Sequence, residues 1–381
     1  MRRTLNNIKR QQLARRQRMF LITGFSAVIM AVLLIFYLTP LATKGGLANV
    51  WQETQAKEAS TSDGGESLSL GFGGDVSFVL EAEDVTKTGG ADHPWGAISG
   101  LILDYDLSVI NLEGPICSTG EPNQDQTSIS VKNEPSNLAG MAEAGIDAVN
   151  LADDHVMDYG SAGLQETQSF LKRNQIATFG AGVNRRLAAQ PALLESLDGA
   201  KVAIVGLCDV APDSYYAGDS SAGVCEADLE SVAGIIQEAR KSAPYVVAFF
   251  HWGESGSTEV TQRQRDLAHA SAEAGADLVV GCHPDVIQGL EIWKGVPIIY
   301  SLGNMVFYPK DEQGKKAIFA GCHFDGGSLI SLEIIPLHIE SARPQTASGN
   351  EAQLILEQVA KSSPGVDLAI DPRTRIAYLN L

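Results

Sequence analysis

The chain has little positive charge beyond its first residues. Its 381 residues include 28 Lys and Arg and 46 Asp and Glu. Residues 1–18 contain seven of the basic residues and no acidic one, which leaves 21 basic against 46 acidic residues, a formal charge of −25. Nucleic acids are bound by basic surfaces, so this composition argues against a nucleic-acid partner. It also disfavours tight binding of any anionic polymer unless a metal ion or a local basic patch offsets the repulsion.

The sequence also lacks the cysteine spacings of zinc ribbons and thioredoxin-like sites, because it contains no Cys-x-x-Cys. The cysteines are odd in number, so at most two disulfides can form, and the sequence does not assign them. Burial as small hydrophobic side chains is the simpler interpretation. The five are Cys117, Cys208, Cys225, Cys282 and Cys322.

One long run, residues 20–38, contains no charged residue. At about 1.5 Å per residue a helix of this length crosses a hydrocarbon core of ~30 Å. Because basic residues precede the run, we expect a cytoplasmic tail over 1–19, a single-pass cell-membrane anchor over 20–38 and an extracellular remainder. The remainder divides into a polar linker over 39–66 and a folded domain over 67–381. A cleaved signal peptide is the alternative, although its apolar region usually has about 7–15 residues.

Short apolar runs alternate with helical patterns in the predicted domain. Runs of 4–6 apolar, β-branched residues are typical of strands buried on both faces. The runs lie in 68–75, 107–113, 147–155, 202–209, 245–254, 276–285 and 296–304. Helical patterns cover 161–174, 229–240, 261–273 and 351–361. The alternation predicts an α/β domain.

Acidic and imidazole side chains come at the ends of several of these runs, and they include three of the seven histidines. Ligands of open α/β sheets bind beyond the carboxyl ends of strands, so we expect these distant side chains to converge. A lone Asp at such a place is more often a helix cap, and the ordered series is what favours a site. Its members are Asp75, Glu113, Asp154, His155, His251, His283 and Asp285. Such a set suits one or two divalent ions such as zinc, manganese or iron.

Five segments carry a resemblance to a known family. GGDVSF (73–78), NLEGPI (111–116), NLADDHVMDYG (150–160), HWGE (251–254) and residues 263–307 are similar, in order and spacing, to the signature blocks of the CapA family. The resemblance covers about residues 68–340. It implies a metallophosphoesterase-like layered sheet sandwich flanked by helices, often behind an N-terminal membrane anchor. It also implies a role in synthesis or export of poly-γ-glutamate at the cell surface, beside membrane-bound polymer-synthase subunits.

The sequence departs from the family pattern at several predicted ligand positions. Asp153-Asp154-His155 stands where the family usually has Asn-Asn-His, and His283-Pro284-Asp285 stands where it has His-Pro-His. The added carboxylates shift the expected preference toward manganese, magnesium or calcium and away from zinc. They also make a site that is structural rather than catalytic a more plausible alternative than in a typical member.

Three functional hypotheses follow. The first is a metal-dependent hydrolase or transferase that acts outside the membrane on a phosphoryl or amide-type bond, with water as the nucleophile. The second is a non-catalytic accessory protein of a surface-polymer synthase, and the third is a generic surface metallophosphoesterase. In the first hypothesis His155, Asp154 and His251 are the catalytic candidates. The candidates for contact with substrate, which includes poly-γ-glutamate itself, are Asn111, Glu254 and Asn304.

Overall fold

The buried apolar runs of the sequence form two β-sheets that stack on one another. The computed structural model of the chain describes residues 67–123, 130–309 and 311–381. In chain order the strands are β1 (Leu68–Val76), β2 (Leu107–Leu112), β3 (Ala148–Asn150), β4 (Ala177–Phe179), β5 (Ala181–Gly182), β6 (Ala192–Glu195), β7 (Lys201–Cys208), β8 (Gly223–Val224), β9 (Tyr245–His251), β10 (Leu278–Cys282), β11 (Leu290–Trp293), β12 (Val296–Ile299), β13 (Lys316–Asp325), β14 (Ser328–Glu340), β15 (Arg343–Thr346), β16 (Ala369–Ile370) and β17 (Ala377–Asn380). The helices are α1 (Glu81–Gly89), α2 (Ser99–Leu103), α3 (Leu138–Ala144), α4 (Gly160–Arg173), α5 (Arg185–Ala188), α6 (Val232–Arg240), α7 (Gln262–Glu273) and α8 (Gly349–Lys361).

Within the described residues, the first sheet has the order β16-β17-β14-β13-β1-β2-β3-β4, with β15 paired to β14. Strands β1 to β4 run parallel, and β13 is antiparallel to β1. The second sheet has the order β11-β12-β10-β9-β7-β6, in which β7, β9, β10 and β12 are parallel. Strands β2, β9 and β10 are buried along their whole length, as predicted for strands covered on both faces.

Apolar side chains fill three layers around the two sheets. Between the sheets, Phe72 of β1 and Phe179 of β4 both meet Phe249 of β9, each with a ring-centroid distance of 6.2 Å. The outer face of the first sheet packs against α2, α3 and α4, and the outer face of the second against α6 and α7. The fold is therefore a mixed α/β sandwich of two sheets flanked by helices, which confirms the predicted layering.

The C-terminal part contains more structure than the sequence patterns indicated. We predicted only a helix over 351–361, which is present as α8, but β15, β16 and β17 also join the first sheet. Strands of only two to four residues are too short to show a reliable period, so they escape pattern analysis. All five cysteines are buried and free, which agrees with their interpretation as small apolar side chains.

The predictions for the N-terminal 66 residues concern a part of the chain outside the described residues. This applies to the tail over 1–19, the anchor over 20–38 and the linker over 39–66. Among the described residues, none of the helices combines the length and the apolar character that a membrane crossing requires. Residues Glu66–Leu381 form one compact unit.

Candidate metal centre

Side chains from both sheets meet at the carboxyl ends of their parallel strands. Asp75 lies near the end of β1, and Glu113 directly follows β2. His251 is the last residue of β9, and His283 directly follows β10. This position agrees with the general location of ligand sites in open α/β sheets.

The centre of the cluster is formed by Asp154, His251 and His283. His251 Nε2 lies 2.9 Å from Asp154 Oδ1 and 3.1 Å from His283 Nδ1. His283 Nδ1 lies 3.8 Å from Asp154 Oδ1, and one ligand atom from each residue falls within 4.8 Å of the other two. Atoms that bind one ion at about 2.1 Å are roughly 3–4 Å apart, so these three residues have the spacing of a ligand set.

Asp75 is directed toward this centre by an irregularity in β1. The register of β1 against β2 shifts between Phe72 and Asp75, and such bulges commonly re-aim a side chain beside an active site. Asn111 Nδ2 donates to Asp75 Oδ1 at 2.7 Å, and the backbone N–H of His283 donates to Asp75 Oδ2 at 3.1 Å. Asp75 Oδ1 lies 3.8 Å from His251 Nδ1. Asp75 therefore connects the two sheets at the site.

The cluster concentrates negative charge. Burial, together with the nearby negative charge of Asp285, raises the pKa of Asp75 to about 6. Burial and the charges of Asp75 and Asp285 raise the pKa of Glu113 well above its usual range. These carboxylates repel one another, and a divalent cation between them would remove that repulsion.

His283 and Asp285 both have left-handed backbone conformations, with φ of 94° and 63°. Non-glycine residues occupy this region at a cost of about 1–3 kcal/mol each, and they are concentrated at functional sites. Asp285 Oδ2 accepts a hydrogen bond from Ser255 Oγ at 2.7 Å, which fixes the carboxylate. The turn after β10 is thus held in a conformation that places both side chains.

His155 is oriented by a residue that sequence analysis did not select. Its Nδ1 lies 2.8 Å from Asp158 Oδ2, and its Nε2 lies 3.9 Å from Asp154 Oδ2. Burial alone would lower the pKa of His155, but the hydrogen bond to Asp158 and the charge of Asp154 raise it to about 9. The His-x-x-Asp spacing of Asp158 was the available sequence signal.

Asp153 ends the strand earlier than predicted. We expected a strand within residues 147–155 that ends directly before Asp154, but β3 ends at Asn150. Asp153 Oδ1 accepts from the backbone N–H groups of His155 and Val156 at 2.7 and 2.8 Å, a local side-chain turn that competes with strand pairing. Burial raises the pKa of Asp153 to about 7. Asp154 and His155 are consequently placed by a loop rather than by a strand end.

Two atoms of the cluster are buried without a hydrogen-bond partner among the described residues: His251 Nδ1 and Asp153 Oδ2. Buried polar atoms are nearly always paired, with protein groups, water or an ion. Independently of these two atoms, the imidazole nitrogens and carboxylate oxygen of Asp154, His251 and His283 have the spacing and chemistry of a divalent metal site, since neutral imidazole and carboxylate are the usual donors. The residues present therefore fit the predicted cofactor.

Two of the three predicted substrate contacts, Asn111 and Asn304, are buried. Asn111 is fully buried, donates to Asp75 and accepts from Asn150 Nδ2 at 2.9 Å, so it supports Asp75 and does not face solvent. Asn304 is 1% exposed and donates to the backbone oxygen of Asp285 at 3.0 Å, a supporting position again. Glu254 is exposed in the loop after β9, and its contact is through its backbone oxygen, which accepts from Ser257.

Comparison with known proteins identifies the family of the chain. The sequence profile of the bacterial capsule synthesis protein PGA_cap matches residues 69–309. The chain therefore belongs to this family of capsule synthesis proteins, and the resemblance to CapA proteins found in the sequence is confirmed.

The relatives include two proteins from Bacillus. The PGA biosynthesis protein CapA of Bacillus subtilis (strain 168) is 28% identical over 298 residues, covering 78% of this chain and 78% of its own. The capsule biosynthesis protein CapA of Bacillus anthracis is 26% identical over 325 residues, covering 83% and 79%. A solved structure, the NAD nucleotidase of Haemophilus influenzae, aligns with 78% of this chain and 63% of its own at 14% identity, with a TM-score of 0.45. That similarity is too low to establish a common fold.

Proposed function

We propose that this chain takes part in synthesis or export of a poly-γ-glutamate capsule, as a membrane-anchored, outward-facing protein with a metallophosphoesterase-like centre. The observation that carries the proposal is the meeting of Asp154, His251 and His283 at one edge of the sandwich, although up to 129 positions separate them in the sequence. Membership of the capsule synthesis family and the names of the Bacillus relatives support the biological role.

The centre would hold one or two divalent ions. The proposed ligands are Asp75, Glu113, Asp154, His155, His251, His283 and Asp285. Because carboxylate oxygens outnumber imidazole nitrogens, manganese or magnesium suits the set better than zinc, with iron a further candidate. Such an ion supplies Lewis acidity toward a phosphoryl or carbonyl oxygen and lowers the pKa of water.

The residues of the chain would provide orientation and proton transfer. Asp158 accepts from His155 Nδ1 and thereby leaves Nε2 directed toward Asp154. From this position His155 Nε2 can either bind an ion or, in a centre where it does not, exchange a proton with a water molecule or a leaving group. Asp154 and His251 would position the attacking water for cleavage of a phosphoryl or amide-type bond.

A substitution at His283 tests the role of the centre. The purified full-length chain, loaded with manganese and desalted, is expected to retain stoichiometric metal by elemental analysis, and His283→Ala to lose most of it. Cells that carry His283→Ala in place of the wild-type gene are expected to make less polymer. The matched control is His269→Gln, because His269 stacks on Trp293 at 3.7 Å and lies outside the cluster. Normal metal content and normal polymer in His283→Ala would contradict the proposal.

An accessory role without turnover is the second candidate. A relative in Mycobacterium tuberculosis, 25% identical over 291 residues, is named a probable polyglutamine synthesis accessory protein. The carboxylates at positions 154 and 285 also alter the usual ligand set. If the metal-loaded chain turns over neither a phosphodiester nor poly-γ-glutamate, while loss of the gene still abolishes polymer, the accessory role is supported. Phosphodiester turnover without any effect on polymer would instead support a generic surface phosphoesterase.

The proposed membrane topology rests on the uncharged run over 20–38 and the basic residues before it. We expect protease added to intact, wall-free cells to digest the domain while a tag before residue 1 stays protected. Protection of the domain together with digestion of the tag would reverse the proposed orientation.

A further inference from the structure

A cavity opens between α7, α8 and the loop after β9. It has a volume of about 630 Å³, within the range of small-ligand sites. Residues from the loop after β9, from α7, from α8 and from the segment before β13 line it. Its charged lining residues are Glu259, Arg265, Glu357 and Lys361, and its amides are Gln313 and Gln358. We refer to it as the α7–α8 cavity.

The loop after β9 connects this cavity to the metal centre. Ser255 Oγ bonds to Asp285 Oδ2, and Gly256 N–H donates to the backbone oxygen of Pro284 at 2.7 Å. The same loop continues into Glu259, which lines the cavity. Gln288 Nε2 donates a hydrogen bond to the backbone oxygen of Glu259 at 3.0 Å. The loop after β9 thus contacts the turn that carries Asp285 and also lines the cavity.

A second connection runs through Asn304. Its Nδ2 donates to the backbone oxygens of Asp285, at 3.0 Å, and Gly314, at 3.4 Å. Gln313, the residue before Gly314, lines the cavity. A ligand that occupies the cavity and passes Gln313 would therefore approach Asp285.

The charges of the lining are balanced, with two cations and two anions. Lys361 and Glu259 form no side-chain ion pair with any other described residue, and Lys361 is exposed. Arg265 has a long contact of 3.5 Å to Glu291 and lies over the ring of Tyr300 at 5.6 Å, which leaves part of its guanidinium available. A lining of this kind suits a ligand that carries both an amine and a carboxylate, since each charge finds an opposite partner.

We propose that the α7–α8 cavity binds the free α-amino and α-carboxylate groups of a glutamyl residue. This inference rests on the proposed function, because in a γ-linked glutamate chain only the amino-terminal residue has both groups free. Lys361 and Arg265 pair with the carboxylate, Glu259 and Glu357 pair with the amine, and the rest of the chain extends past Gln313 toward the metal centre. Recognition of the chain end, rather than of the polyanionic interior, also explains how an acidic domain engages this polymer.

Calorimetric titration of the purified full-length chain tests the cavity. The ligands are a γ-linked glutamate trimer with a free amino terminus, the same trimer N-acetylated, and free glutamate. The free trimer is expected to bind at least roughly tenfold more tightly than the acetylated one, because acetylation removes a charged hydrogen-bond donor. If free glutamate binds as tightly as the free trimer, the amino acid itself is the ligand. If free glutamate binds more weakly than the free trimer, the ligand is the chain end. Equal binding of the two trimers overturns the proposal.

Variants locate the binding. Lys361→Ala and Glu259→Gln are expected to weaken binding of the free trimer by roughly tenfold, whereas Lys361→Arg is expected to retain most of the affinity. Lys201→Ala is the matched control, because Lys201 is an exposed lysine of β7 outside the cavity. Unchanged affinity in both Lys361→Ala and Glu259→Gln, with circular dichroism like that of the wild type, would place the ligand elsewhere.

The proposed capsule role and the proposed ligand of the cavity can each be contradicted without the other. His283→Ala is expected to lose metal and polymer synthesis but to bind the free trimer as the wild type does. Trimer binding of the expected pattern in a protein whose loss leaves the capsule intact would contradict only the capsule role. A capsule that depends on His283, in a protein that does not bind the trimer, would contradict only the cavity.

Discussion

At the scale of single residues, we expect Asp285 to bind the predicted metal ion and to destabilise the metal-free fold. Its charge raises the pKa values of Asp75 and Glu113, which means that the three carboxylates repel one another. Asparagine tolerates the left-handed backbone at this position and keeps an oxygen for Ser255. We expect Asp285→Asn to raise the free energy of unfolding without metal by about 1 kcal/mol and to weaken manganese binding at least tenfold.

Denaturant titration and metal titration measure the two effects. Asp198→Asn is the control, because Asp198 is exposed in a turn before β7 and should change neither quantity. A less stable metal-free Asp285→Asn chain would show that repulsion at the centre is not significant.

Asp158 is expected to act through His155. Asp158→Asn removes the charge beside His155 Nδ1, so the pKa of His155 should fall from about 9 toward its ordinary value of 6.5. An NMR titration of the histidines in the metal-free chain measures this shift directly. Activity, if present, should show the same change in its pH profile, which loss of stability alone would not produce. An unchanged pKa of His155 would mean that Asp158 does not control its protonation.

At the scale of elements, the metal centre depends on how closely the segment before β13 approaches β1. A Cβ atom at Gly74 would lie 1.7 Å from the backbone oxygen of Gly303, and Asp75 N–H donates to that same oxygen at 3.2 Å. The absence of a side chain at Gly74 is therefore what brings Asn304, and with it the turn that carries Asp285, to the end of β1.

We expect Gly74→Ala to lower the free energy of unfolding by roughly 2–4 kcal/mol and to reduce metal affinity, because backbone must shift to accept the methyl group. The matched control is Gly100→Ala in α2, where a Cβ would meet nothing within 4 Å. That change should be neutral or stabilising by about 0.5–1 kcal/mol, since alanine favours the helix. Thermal or denaturant unfolding compares the two, and equal effects would contradict the close-packing argument.

At the scale of the whole molecule, the buried acids make stability depend on pH. The pKa values of Asp75 and Asp153 are raised to about 6 and about 7, so the stability that these groups contribute is present below their ordinary value of 3.8 and is lost as pH rises through 6 and 7. The raised pKa of His155 likewise makes stability fall as pH rises, up to about pH 9. The lowered pKa of Asp154 affects stability only at acidic pH. The folded metal-free chain thus binds more protons than the unfolded chain between pH 4 and pH 8.

We therefore expect the metal-free chain to lose a few kcal/mol of stability between pH 5 and pH 8, and the metal-loaded chain to gain stability over this range because its ligands deprotonate. Unfolding measured at several pH values with and without manganese tests both statements. Asp153→Asn should flatten the metal-free curve, whereas an unchanged slope would assign the effect to surface charge. A metal-free chain that becomes more stable toward pH 8 would contradict the expectation.

The amino-acid sequence by itself indicated seven of the buried strands and four of the helices, and it showed that the chain resembles capsule synthesis proteins. It did so because a run such as the one in β9 is apolar throughout, and because 3.6-residue periods mark helices such as α7. It also indicated the residues of the centre, since ligand sites lie at the carboxyl ends of strands. The roles of these residues and the membrane anchor over 20–38 stay predictions.

Only the tertiary structure decided which of these side chains meet and which neighbours hold them. Asn111 and Asn304 looked like substrate contacts in the sequence, but packing of the two sheets buries both beside Asp75 and Asp285. Asp158 became visible only as the partner of His155. The physical reason is that local periodicity reports the environment along one element, whereas a ligand set depends on contacts between residues some two hundred positions apart, such as Asp75 and His283.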